Sequence, residues 1–310
     1  MNKLLVIGSA NADHVLAFET LPQAGETLLS QHYRLELGGK GANQAVAVAR
    51  LKRPAQQVEF ICALGDDANG QIMRDAWQKD DIQQSGCYTI PRQSTGTAMI
   101  FVSQTGENCI GVVSGANGCL SQDHIAEQQD KFAQASYLLI QLETPLDSVI
   151  KALSIAKQQD CTTILNPAPA IHLAKSTLSL VDIITPNETE AQVLTGIAVK
   201  DPASAKLAAN ALHLSGISTV IITLGNQGAY LSVQTAAENI SELIPARVVT
   251  AIDTVAAGDT FNGALMVALD EGLTTKQAVV FANKAAAIAV TRHGAQSGIP
   301  YRTELTFEGE

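Results

Sequence analysis

The chain has 310 residues, of which 46% are hydrophobic and 16% charged, and it carries a formal net charge of −10; that is enough chain to bury a large core in one α/β domain or two small ones. With no Lys/Arg cluster, the acidic balance excludes a nucleic-acid face, which needs local positive charge, but leaves a nucleotide open. No apolar run approaches the ~20 residues of a membrane span, and five scattered cysteines without a C-x-x-C pair point to buried thiols in a reducing, cytoplasmic setting.

In chain order, Leu4–Ile7 is too short for the apolar core of a leader and reads as a first strand. Just beyond it, Asn11 and Asp13 fall on one side of an extended chain, where an amide and a carboxylate can hold neighbouring hydroxyls of a sugar; the same residue types also make turns. Residues 15–37 look like strands joined by turns without helices. Gly38-Gly39-Lys40-Gly41-Ala42-Asn43-Gln44 then opens a helix running to Leu51. It lacks the spacing of a Walker A loop and the third glycine of G-x-G-x-x-G. What it offers is close backbone approach and Asn43 within reach of a polar ligand, or simply a glycine-rich helix start.

Strand-type runs continue at Val58–Ala63, Tyr137–Leu142, Thr162–Leu165, Asp182–Thr185 and Thr219–Leu224, alternating with helical patterns at Gln71–Gln78, Asp147–Gln159 and Ala203–Leu214. This alternation implies an α/β fold: a central, mainly parallel sheet flanked by helices, with ligands beyond the carboxyl ends of its strands. Residues 95–113 again read as strands joined by a turn. With the earlier irregular stretch they suggest a small β-sheet lid, about 14–38 and 95–113, on a single domain covering 1–310; decorative hairpins are the plainer alternative.

Past the third run, Glu143 is either a hydroxyl acceptor or a solvated loop residue. Asn187 and Glu190 have the spacing of a capping box, while Glu190 also suits a water-mediated hold on magnesium. Thr223-Leu224-Gly225-Asn226-Gln227-Gly228 is a tight turn or the wall of a nucleotide cleft.

Arg247–Ile252 is β-branched enough for a strand, and Phe261, Ala264, Leu265, Ala268 and Leu269 recur at helical spacing. Between them, Ala256-Ala257-Gly258-Asp259 opens a helix whose free N–H groups can hold a phosphate. A carboxylate there is either a cap or a general base taking the proton of a hydroxyl that attacks phosphorus. The last helix, Thr275–Thr291, carries Asn283, and His293 beyond it is an exposed helix-end residue with no assigned chemistry.

The order Asn11/Asp13, Gly38-Gly39-Lys40-Gly41-Ala42-Asn43, Asn187-x-x-Glu190, Thr223-x-Gly225, Asp253-Thr254-x-Ala256-Ala257-Gly258-Asp259 resembles the PfkB carbohydrate kinases from the first strand to Pro300. The resemblance implies phosphorylation of a sugar by ATP, with Asp259 as base and the Ala256–Asp259 backbone as anion hole. By it, Asn11, Asp13, Gly39, Lys40, Gly41, Asn43 and Glu143 hold the sugar; Asn187, Thr223, Gly225, Gly228, Gly258 and Asn283 line the ATP site; and Glu190 serves the Mg2+ network. It also implies a K+ beside the anion hole, held by Asp253 and backbone oxygens near Val255, Ala289, Arg292 and Gly294.

Gly298 stands where that resemblance implies a serine, with Ser297 adjacent as a replacement hydroxyl. A homodimer through the lid strands is a further implication. Gly39-Lys40-Gly41-Ala42-Asn43 favours D-ribose phosphorylated at its 5-hydroxyl. Deoxyribose, a ketohexose or a nucleoside is the alternative acceptor within the family, and a non-catalytic sugar-binding regulator the alternative outside it.

Overall fold

A computed structural model describes residues 3–236 and 239–305; the remaining positions of the expected 1–310 domain lie outside the described residues. In chain order the strands are β1 Lys3–Ile7, β2 Asn11–Phe18, β3 His32–Gly38, β4 Gln57–Gly65, β5 Ile82–Ile90, β6 Gly96–Ser103 and β7 Asn108–Val113. They continue as β8 Ala135–Ile140, β9 Thr162–Leu165, β10 Ile183–Ile184, β11 Thr219–Thr223, β12 Ala229–Gln234 and β13 Asn239–Ile244. The main sheet has the order β13-β12-β11-β10-β9-β8-β1-β4-β5 and is parallel except where β12 and β13 fold back.

The unbroken apolar run of β1 follows from burial on both faces. Leu4 and Val6 pack into one core cluster with the helices Lys40–Leu51, Ala257–Asp270 and Thr275–Ala289, whereas Leu5 and Ile7 pack into another with Leu146–Gln158 and Pro202–His213. Chain order reverses between β1 and β8, since β1 leads to β4 on one side while β8 lies on the other. Such a reversal opens a crevice at the carboxyl ends of the strands.

Two helices cross closely over this crevice. A Cβ on Gly263 would come within 2.5 Å of the Ala47 Cβ, so only glycine lets Ala257–Asp270 lie this near to Lys40–Leu51. At the start of the latter, a Cβ on Gly41 would sit 2.5 Å from the backbone of Gly8 and Ser9. The helix therefore begins directly on the exit of β1.

The two irregular stretches build a second sheet of order β3-β2-β6-β7, in which β2 is antiparallel to β3 and parallel to β6. It joins the crevice at Asn11, which pairs with Gly38 on one side and Gly96 on the other. Among the described residues, no helix is long and apolar enough to cross a membrane.

Three readings need correction. Arg247–Ile252 is not a strand: Val248 is 95% exposed, and the segment's apolar side chains border a cavity instead of joining a ladder. The run Asp182–Thr185 contracts to Ile183–Ile184, although the Thr185 N–H still donates to Leu165 O and Asp182 O still accepts from the Thr219 N–H, each at 3.0 Å. Cys109 is exposed, since nothing covers the edge strand β7, whereas Cys62 and Cys161 are buried. All five thiols are free.

Candidate active site

Three cavities lie at the carboxyl ends of the main sheet. The first, of about 540 Å³, is bordered by Ser9, Asn11, Asn117, Glu143 and Thr144, with Val112 of β7 above. Asn11 lies in β2, not in a turn, and its Oδ1 accepts from Asn117 Nδ2 at 2.8 Å. Glu143 is no solvated loop residue: one of its carboxylate oxygens accepts from Ser9 Oγ and from the Lys40 N–H at 3.0 Å.

Asp13 is pressed against Gly38, where a Cβ would overlap its carboxylate, and its Oδ1 is buried without a hydrogen-bond partner. Burial, reinforced by the charges of Glu36 and Glu143, pushes its pKa up to about 7. A buried acceptor without a donor awaits a ligand that supplies one. Gly39, at φ +87°, lets the chain turn against Ala10, where any Cβ would lie 2.8 Å from the Ala10 Cα.

The second cavity, of about 220 Å³, brings together Lys40, Asn187, Glu190, Thr223, Gly258 and Asp259. Lys40, expected on the sugar side, thus borders this space, and its charge opposes the rise that burial imposes on the Asp259 and Glu190 carboxyls. Asp259 does not cap its helix. Its Oδ2 accepts from Asn43 Nδ2 and its Oδ1 from Gln44 Nε2, both at 2.9 Å.

Ala256, a non-glycine residue at φ +58°, precedes the helix. The Ala257 N–H bonds to Thr254 O and that of Thr260 to Ala256 O, which leaves those of Gly258 and Asp259 for a ligand. A Cβ on Gly258 would meet nothing within 4 Å and φ there is not positive, so neither packing nor backbone requires this glycine. Its vacant side opens into the cavity.

Asn187 and Glu190 do form the capping box: Asn187 Oδ1 accepts from the Glu190 N–H, and Glu190 Oε2 from the Asn187 N–H. Glu190 is nonetheless part of the cavity wall, so the cap also aims a carboxylate. Burial raises its pKa, partly offset by the Asn187 backbone. Among the described residues no three acidic, His or Cys side chains converge as a metal cage. That donor set fits a magnesium ion held through water and by the phosphates of its ligand, as is usual for this cation.

The third cavity, of about 380 Å³, is mainly apolar, with Val248, Val249, Ala286 and Val290 beside Gly225 and Asn283. Thr223 to Gly228 is both the turn between β11 and β12 and part of these walls. Gly228, at φ +106°, lies behind, where a Cβ would come 2.1 Å from Ile244 O. Asn283 Nδ2 donates to the carbonyls of Ile244 and Pro245 at 3.2 and 3.3 Å.

Beside the second cavity, Asp253 accepts from the N–H groups of Val255 and Gly294, each at 3.0 Å, and so ties together the two loops expected to hold a monovalent cation. The carbonyls of Ala289 and Arg292 face Gly298, lying 3.4 and 3.9 Å from where its Cβ would be. These carbonyls and the Asp253 carboxylate are oxygen donors of the kind such a cation takes. Ser297 Oγ donates to His293 O at 2.9 Å and is committed there.

Gln44, Asn117, Gln141, Asn166, Thr185 and Asn262 were missed by sequence reasoning. Three of them carry a usable signal: Gln141, Asn166 and Thr185 are each the first residue past an apolar parallel strand.

Cavities at the ends of a parallel sheet, one of them bearing a carboxylate on a helix N-terminus, suit the transfer of a group between two small molecules. The chain belongs to the pfkB family of carbohydrate kinases, whose model matches residues 1–302. It is 47% identical to the ribokinase of Haemophilus influenzae over 97% of this chain and 96% of that protein. It is 34% identical to the deoxyribokinase of Salmonella typhi over 96% and 95%. The structure of Arabidopsis thaliana ribokinase complexed with ribose and ATP superimposes with a TM-score of 0.90 at 31% identity, covering 98% of this chain and 97% of that one.

Proposed function

We propose that the protein transfers the γ-phosphoryl group of ATP to the 5-hydroxyl of D-ribose, giving ribose 5-phosphate and ADP. The observation that carries this reading is Asp259: a buried carboxylate, aimed by two amides, beside two free N–H groups in a polar cavity that shares Thr254 with the apolar one. The likeness to ribokinases supports the choice of sugar.

In this reading Asn11, Asp13, Asn43 and Glu143 hold the sugar hydroxyls, with Gly39 and Gly41 letting the backbone close on them. Asp259 takes the proton of the 5-hydroxyl as its oxygen bonds to the γ-phosphorus and the bond from that phosphorus to the bridging oxygen breaks, releasing ADP. The N–H groups of Gly258 and Asp259, with Lys40, stabilise charge on the transferring group. Asn187, Thr223, Gly225 and Asn283 line the nucleotide site.

Glu190 would hold Mg2+ through water, and that ion would neutralise phosphate charge. Asp253 and the carbonyls near Val255, Ala289, Arg292 and Gly294 would hold K+, steadying the loop before Ala256. The second sheet acts as a lid that excludes water, and copies pair along β7, whose Ile110, Val112 and Val113 are exposed; light scattering in solution tests the pairing.

An ADP-release assay with Mg2+ and K+ across D-ribose, 2-deoxy-D-ribose, D-fructose and adenosine tests the function, with 31P NMR locating the phosphate. D-ribose should give the highest kcat/KM and a 5-phosphate. Preference for deoxyribose would move the assignment within the family. Tight ribose binding without ADP release would identify a sugar-binding regulator.

A further inference from the structure

Gln44 is fully buried, one residue past Asn43, and too deep to touch a sugar. Its Nε2 donates to Asp259 Oδ1 at 2.9 Å and to Asn166 Oδ1 at 3.0 Å, and its Oε1 accepts from Gln141 Nε2. A carboxylate can only accept, so the nitrogen of Gln44 must face Asp259, and Gln141 blocks the flipped amide by donating to the oxygen. Beyond Asn166 the contacts continue: Asn166 Nδ2 to Thr185 O at 3.4 Å, Thr185 Oγ1 to Asn262 Oδ1 at 2.6 Å, and Asn262 Nδ2 to Gly258 O at 2.8 Å. This chain of side chains crosses the ends of β8, β9 and β10 and returns to the helix turn that bears Asp259.

We infer that Gln44, locked from behind by Gln141, is a positioning residue that fixes the ionised Asp259 carboxylate for proton abstraction, while Asn166, Thr185 and Asn262 hold the Gly258 peptide in register with it. The inference rests on the proposed role of Asp259 as base. Burial of Asp259 favours its neutral form, as does the charge of Glu143; Lys40 and the amides of Asn43 and Gln44 oppose this, and Glu190 adds a further negative charge nearby. Of the two amide donors, Gln44 is the one that substrate cannot displace.

The test compares the pH dependence of kcat/KM for D-ribose in the wild type, Gln44→Met and Gln141→Met. Loss of a hydrogen bond to a charged group should move the acid limb of Gln44→Met upward by about one pH unit, a roughly tenfold loss along that limb that largely recovers on the alkaline plateau, with ribose KM within about threefold. Gln141→Met should shift in the same direction by less, and it carries the test if Gln44→Met fails to fold. An acid limb that stays in place, with activity lost equally at every pH, overturns the inference.

A 13C titration of the Asp259 carboxyl, assigned with Asp259→Asn, reads the same shift without turnover. If the wild type released no ADP with any sugar, the kinase reading would fall while this titration still judged Gln44. An unchanged Asp259 titration in Gln44→Met would overturn the inference alone.

Discussion

The sides of the crevice that the proposed function gives to acceptor and nucleotide differ in the polar groups buried around them. The acceptor side is crowded with buried polar groups, several of them, such as Asp13 Oδ1 and Asn43 Oδ1, lacking a partner within the protein. The nucleotide side is a mainly apolar cavity bordered by the irregular segment 246–251. Unpartnered polar groups reject any ligand that leaves them unpaired, whereas an apolar slot accepts whatever flat group fits it. On the proposed function, selectivity then resides on the sugar side, and the nucleotide side supplies mainly contact area.

The largest test of this contrast is at the junction. Asp259→Asn should lower kcat about 10³-fold while ribose binding changes only a few-fold; single-turnover kinetics with calorimetry would show it, and near-normal turnover would remove Asp259 from the chemistry. Gly258→Ala puts a methyl into open space beside the anion hole and should cost on the order of 10²-fold in kcat. Its melting temperature should hold or rise, because alanine favours the helix. A matching loss of stability would return Gly258 to a packing role.

On the acceptor side, Asp13→Asn should raise ribose KM about 30-fold, the cost of losing bonds to a charged acceptor. With the wild-type carboxyl titrating at about 7, ribose affinity should strengthen roughly tenfold from pH 6 to pH 8. Asp13→Asn should abolish this dependence. Because the folded-state pKa lies above the unfolded value, ionised Asp13 destabilises the unliganded protein as pH rises through the interval up to about 7. Asp13→Asn should accordingly melt higher than the wild type at pH 8, and the advantage should vanish near pH 4. The smallest effect belongs to the nucleotide side, where Val249→Ala should raise the KM for ATP about threefold or less, in keeping with partial loss of one apolar contact.

The parallel sheet was legible because strands buried on both faces must be apolar throughout, as Leu4–Ile7 is. Arg247–Ile252 misled for the same reason: β-branched residues facing a ligand cavity look like those facing a core. The helix N-terminus at Gly258-Asp259 announced itself through residue type. Its amide support did not, since Gln44, Asn166 and Asn262 acquire meaning only when three strand ends and two helices come together. The spacing of Asn187 and Glu190 fitted both a cap and a site, and the structure has the cap with its carboxylate facing the cavity.

The close crossing at Gly263 brings Asn43 within 2.9 Å of Asp259 although 216 positions separate them along the chain. If Asp259 is the base, as proposed, neither end of the polypeptide carries it with its amide support. On that reading, a chain still emerging from the ribosome presents the groups proposed to face the sugar before the group proposed to activate it, and phosphoryl transfer should begin only when the helix Ala257–Asp270 has docked.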